Sequence, residues 1–131
     1  MAQATTPEGE GLRPDAFFPA TLLTGGAAWH EEVFAPILTV EPVADREAAW
    51  QAANDVPYGL SAAVYTRTPA FAEEAAERLE AGVVAINRRG DDVGLEPPFG
   101  GLKSSGNGFP EGGAYVYSSL TSLQAVYGAA D

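Results

Sequence analysis

Apolar residues along this chain fall into short blocks of two different periods. Ile37 to Val43 is rich in Ile, Val and Thr, and Leu60 to Thr66 is short, apolar and β-branched at Val64 and Thr66, which predicts two strands. Val83-Val84-Ala85-Ile86 is apolar without interruption, as expected of a strand covered on both faces. Between these blocks the spacing becomes helical. Asp45 is placed to cap a helix from about Arg46 to Ala53, whose Ala49, Ala52 and Ala53 share one face. Asn54-Asp55-Val56-Pro57-Tyr58-Gly59 ends it. A second helix carries Phe71, Ala75 and Leu79 four residues apart, with Thr68 as cap, Pro69 at the first helical position and Gly82 for the left-handed C′ position.

At the two ends the pattern weakens. Met1 to Asp15 holds Thr, Gly, Glu and Pro with one Leu, too little apolar surface to offset the entropy of ordering, so residues 1–15 read as a flexible lead-in to a segment 16–131. Phe17 to Leu23 has β-formers around Pro19 and fits an edge strand, where a missing N–H is tolerated. Tyr115 to Tyr127 fits either a terminal strand or a helix followed by a strand. Strand–helix alternation with short connections predicts an α/β fold, a mainly parallel sheet with covering helices.

Composition narrows the function classes. A chain of 131 residues suits one domain, within which Trp29 and Trp50 both fall. Its net charge of −11, with seven Lys and Arg, argues against nucleic acid and anionic membrane as partners. There is no cysteine, hence no disulfide, thiolate metal site or cysteine nucleophile in these residues. His30 is the single histidine, which leaves no catalytic triad and no multi-histidine metal site. No apolar run approaches the roughly 20 residues that span a bilayer, and the expectation is a soluble, cytoplasmic protein.

The densest chemical signal is Pro98-Phe99-Gly100-Gly101-Leu102-Lys103-Ser104-Ser105-Gly106-Asn107-Gly108. Eight of the fifteen glycines lie between Gly90 and Gly113. Glycine at that density marks either a shaped loop with close backbone approach or a solvated linker. Arg88, Arg89, Asp91, Asp92 and Glu96 precede it. Two arginines suit a substrate carboxylate, although a charged solvated loop is the commoner arrangement. Glu73-Glu74 belongs on the polar face of its helix. Phosphate-loop readings fail, because no Gly-Lys-Ser/Thr occurs and Glu111 stands where the dinucleotide fingerprint needs glycine.

The wording Pro-Phe-Gly-Gly-x-Lys-x-Ser-Gly-x-Gly after a short apolar strand resembles the C-terminal signature of the aldehyde dehydrogenase superfamily. Glu31-Glu32-Val33-Phe34-Ala35-Pro36 resembles that family's Glu-x-Phe-Gly-Pro motif, and Asn54 to Val64 resembles the segment between the two. The resemblance covers about Phe17 to Gly128, the last quarter or so of a family enzyme. Ala35 stands where the family uses glycine, and Phe109-Pro110-Glu111-Gly112 replaces the usual Arg-Glu-x-Gly continuation.

The resemblance implies three binding residues. Glu32 corresponds to the glutamate that holds the nicotinamide ribose of NAD or NADP; a carboxylate accepts two hydroxyl donors at once. Phe34 corresponds to an aromatic packed against the nicotinamide riboside, and Phe99 to one lining the substrate tunnel. Without the resemblance, Glu32 would read as a solvated acid and both rings as ordinary packing. Lys103, Ser105 and Gly106 shape the loop. No residue of the chain is assigned a catalytic role and none a metal. In the family, the nucleophilic cysteine, oxyanion asparagine, base glutamate and cofactor domain lie upstream of this segment, and its tail joins an oligomerising β-ribbon.

The leading expectation is therefore the C-terminal portion of an NAD(P)-dependent aldehyde dehydrogenase, inactive alone. Its partner would be the upstream half of a split enzyme or further copies in a homo-oligomer. The alternatives are a non-catalytic interaction or oligomerisation module and a truncated gene remnant.

Overall fold

Each helix begins where its capping chemistry stands. In the computed structural model, which describes residues 1–25 and 30–129, α1 runs Arg46–Asn54 and Asp45 Oδ1 accepts the Ala48 N–H at 2.9 Å. Such a cap is worth about 1 kcal/mol. Helix α2 (Pro69–Arg78) opens with Pro69 in its first turn, as expected. Thr68 is extended but caps nothing with its side chain; its own N–H donates to Thr66 Oγ1 at 3.0 Å. The helix stops at Leu79, which turns extended, so Gly82 is not its left-handed C′ residue.

The chain falls into two compact units, Met1–Val56 and Pro57–Asp131. The first is built on β1 (Ala2–Gln3), β2 (Thr21–Thr24) and β3 (Ile37–Val40), with α1 following. Strands β2 and β3 are parallel, with Thr21 opposite Ile37 and Thr24 opposite Val40, while β1 runs antiparallel to β2. Strand β2 is thus the central strand of its sheet and not an edge. Pro19 precedes it, so no ladder donor is lost. Ala2–Gln3, in a stretch to which patterning assigned no element, pairs through its backbone and needs no apolar side chain to do so. Thr21 is buried and satisfied: its Oγ1 accepts from Gln3 Nε2 at 3.1 Å and donates to the Pro19 carbonyl at 2.8 Å.

The second unit holds β4 (Tyr58–Gly59), β5 (Ser61–Val64), α2, β6 (Val83–Ile86), β7 (Leu102–Lys103) and α3 (Val116–Leu120). Strands β5 and β6 are parallel across α2, with Ser61 opposite Val83 and Val64 opposite Ile86. Strands β4 and β7 are antiparallel. The α/β reading holds, with mixed sheets whose longer pairings are the parallel ones. Beyond β6 the Asn87 side chain continues the ladder: Oδ1 accepts the Thr66 N–H at 2.8 Å and Nδ2 donates to the Thr66 carbonyl at 2.9 Å. After α3, residues 121–129 form no strand within the chain and are exposed.

One expectation fails for a physical reason. Strand β6 is half-buried throughout and not covered on both faces: α2 packs against it, and that contact leaves Val83 to Ile86 only partly covered. Among the described residues, Trp50, 4% exposed, and Ala75 are the buried apolar side chains. Trp29 lies outside the described residues. Large apolar side chains in both units stay exposed, Leu38 at 63% and Tyr65 at 66% among them. No helix among the described residues is long and apolar enough to cross a membrane.

So little burial predicts weak cooperativity. Urea unfolding of the chain, followed by fluorescence of Trp50 in a Trp29→Phe background, should be broad, with a slope below the roughly 1–3 kcal/mol/M of small two-state domains. A steep transition independent of protein concentration would contradict it.

Candidate functional site in the glycine-rich loop

The second unit's loop is held closed at its base. Phe99 and Glu111 exchange two backbone hydrogen bonds, Phe99 N–H to Glu111 O at 2.6 Å and Glu111 N–H to Phe99 O at 2.7 Å. Residues 100–110 form an Ω-like excursion between them. Three contacts then fasten it to the strands. Ser105 Oγ accepts the Gly59 N–H at 3.1 Å, the Ser104 N–H donates to the Pro57 carbonyl at 3.0 Å, and Lys103 Nζ meets Glu80 Oε2 at 2.8 Å. Lys103 adopts a positive φ of 51°. The loop is shaped, which removes the linker alternative.

Close backbone approach explains the glycines. A Cβ on Gly82 would run into the carbonyl of Gly100, and one on Gly106 into the carbonyl of Gly101. Gly82 therefore serves packing, not helix termination. Sequence patterning misses Gly59, Glu80 and Gly82 as parts of the loop's anchorage, since no periodic signal joins positions so far apart in the chain. Lys103, Ser105 and Gly106, read as loop-shaping, do that.

Phe99 is 38% exposed and stands at the lip of a cleft of about 370 Å³ that Leu60, Ser105, Asn107, Phe109 and Glu111 also line. That volume suits a small organic ligand, whose pockets run from about 300 Å³ upward. Nearby, Arg88 pairs with Asp92 at 2.7 Å and Arg89 with Asp91 at 2.8 Å, all exposed. The hydrogen bonds that Arg89 donates to the Asp91 carboxylate, and then the charge of that carboxylate, raise the Arg89 pKa above its ordinary value. Both guanidinium groups are thus engaged by acids of their own loop, in surface pairs of small energetic weight.

Glu32 and Phe34 belong to the first unit, in the segment entering β3. Glu32 is exposed and Phe34 is 96% exposed. Two successive three-residue turns follow, with Ala35 N–H donating to Val33 O at 2.6 Å and Ile37 N–H to Ala35 O at 2.7 Å. Ala35 keeps a negative φ, so no glycine is needed there. A larger hollow, about 450 Å³ on the sheet of this unit, is lined by Gln3, Thr21, Leu22, Pro36, Ile37 and Leu38 and brings no ionised side chain to bear. His30 is exposed.

Comparison with known proteins gives one family. The model described as the aldehyde dehydrogenase family matches residues 2–126. The chain is 40% identical over 97 residues to the NADP/NAD-dependent aldehyde dehydrogenase PuuC of Escherichia coli (strain K12), which is 74% of this chain and 19% of that protein. Aldehyde dehydrogenase 21 from Physcomitrella patens, solved in complex with the reaction product succinate, is 30% identical with a TM-score of 0.75, over 84% of this chain and 24% of that one. An indole-3-acetaldehyde dehydrogenase solved with NAD+ is 37% identical with a TM-score of 0.73, over 79% and 21%. The chain spans about a fifth to a quarter of the length of the relatives it matches.

The glycine packing yields a direct prediction. Gly82→Ala should overpack the strand–loop contact by about 1–3 kcal/mol and so speed tryptic cleavage after Lys103 roughly 5- to 150-fold. Gly128→Ala, at a site with no atom within 4 Å of the added carbon, should leave the rate unchanged. Equal cleavage in the two variants would show that the contact does not hold the loop.

Proposed function

The chain belongs to the aldehyde dehydrogenase family, and from that premise we propose that it supplies part of the wall of a site that oxidises an aldehyde to a carboxylate with NAD or NADP. Phe99 faces the aldehyde, while Glu32 and Phe34 meet the nicotinamide end of the cofactor. The observation that carries this reading is the pinning of Phe99: paired hydrogen bonds to Glu111 fix its backbone beside an open, glycine-lined cleft that it helps to line. A backbone held at that point presents the Phe99 ring to a small substrate from a constant position.

The residues present fit one end of the cofactor. Glu32 offers an exposed carboxylate that can accept both hydroxyls of a ribose, and Phe34 an uncovered ring two residues later. A nicotinamide held there would supply the hydride acceptor for the oxidation. The 131 residues contain no cysteine to attack that carbon, so this chain orients and encloses but does not itself react. Removing a catalytic nucleophile costs orders of magnitude in rate.

A second reading, a non-catalytic interaction module, is favoured by a different observation. Leu120, Leu123, Val126 and Tyr127 are exposed at the end of the chain, a run of apolar side chains that a partner would cover. The partner would be the upstream portion of a family enzyme or further copies of the chain.

The pure chain should give no aldehyde-dependent NADH or NADPH. Supplied with the upstream portion of a family enzyme it should give turnover, and Glu32→Ala should then raise the KM for the cofactor roughly 10- to 150-fold, the ~1.5–3 kcal/mol of hydrogen bonds to a charged acceptor. Turnover by the pure chain that disappears with Glu32→Ala would overturn the proposal. A stable complex without turnover would favour the interaction module.

A further inference from the structure

Asn107 is followed by Gly108, and the loop holds this pair in an arrangement suited to a reaction of the chain with itself. Oδ1 of Asn107 accepts the Phe109 N–H at 3.0 Å. This turn, closed by a side chain onto the backbone two residues on, polarises the C=O of the carboxamide. Both residues are exposed, and nothing lies within 4 Å of the place a Cβ on Gly108 would take. Gly108 has a φ of 87° and, as a glycine, sets no side chain beside its own nitrogen.

We propose that Asn107 is a site of spontaneous covalent modification, in which the folded loop converts it through a succinimide to a mixture of aspartyl and isoaspartyl residues. Solvent base removes the Gly108 amide proton, and the nitrogen attacks Cγ of Asn107. A C–N bond forms to Gly108, the bond from Cγ to the side-chain nitrogen breaks, and ammonia leaves. Water then opens the ring at either carbonyl. No oxidant or enzyme is required, and the reaction is independent of the aldehyde-binding role proposed for the chain.

The other two asparagines provide the contrast. Asn54 ends α1 and precedes Asp55. Asn87 precedes Arg88 and has both ends of its carboxamide bonded to Thr66, at 2.8 and 2.9 Å. Neither is followed by glycine. At position 107 the isoaspartyl product lengthens the backbone by one carbon beside Gly106, which already touches the Gly101 carbonyl too closely for a Cβ. Either product also places a new negative charge on the wall of the cleft that Phe99 and Glu111 line.

The test is to age the full chain in mildly alkaline buffer, with and without urea, and to analyse the tryptic peptide that follows Lys103 by mass and by acceptance of a methyl group from an isoaspartyl methyltransferase. In the folded chain this peptide should acquire the mass of an acid in place of an amide, together with methyl acceptance. The peptides holding Asn54 and Asn87 should not change. Asn107→Gln and Gly108→Ala should each lose the signal. An Asn107 that stays intact in the folded chain, whether or not it converts in urea, would overturn the proposal, as would equal conversion at Asn54 or Asn87.

Discussion

The second unit depends on two backbones lying closer together than any side chain permits. Gly82, at the entry to β6, rests against the carbonyl of Gly100, and Gly106 rests against that of Gly101. With those contacts made, Ser105 reaches the Gly59 amide and Lys103 reaches Glu80. Phe99 is then fixed through its paired bonds to Glu111. The hydrogen bonds are individually small, on the order of 1 kcal/mol. Their geometry exists only because the glycines let the strands and loop meet.

Apolar surface left uncovered is the complementary feature. Leu22, Leu38, Leu102 and Leu120 are each at least a third exposed, in a chain that spans about a fifth to a quarter of its relatives' length. The half-burial of β6 expresses the same fact at one strand: Val83 to Ile86 are as apolar as a strand covered on both faces, and the packing within the chain leaves them half-buried.

Local features were readable because they are set by neighbours in sequence. Asp45 caps α1 through an atom three residues away, Pro69 starts α2, and β3, β5 and β6 stand where β-branched and apolar runs predict. The signature of the loop was readable as well, since its glycines, lysine and serine keep a fixed spacing. Less legible were Gly82, which resembled a helix stop, and Thr68, whose hydroxyl makes no cap. The pairing of Ala2–Gln3 with β2 left no mark in the pattern, because backbone donors and acceptors are the same in every residue.

The sequence by itself determined the alternation of strands and helices, the family, and the identity of the residues proposed to face substrate and cofactor. Short-range hydrogen bonding and periodic burial are written in residue order, so they survive without a fold. The tertiary structure alone decided that β2 is central, that Gly82 serves packing, that Arg88 and Arg89 are engaged by Asp92 and Asp91, and that Glu80 anchors Lys103. The loop's anchorage to Gly59, Glu80 and Gly82 and the place of β2 in its sheet depend on which distant segments come within a few ångströms. Such proximity follows from the packing of whole elements and has no period along the chain.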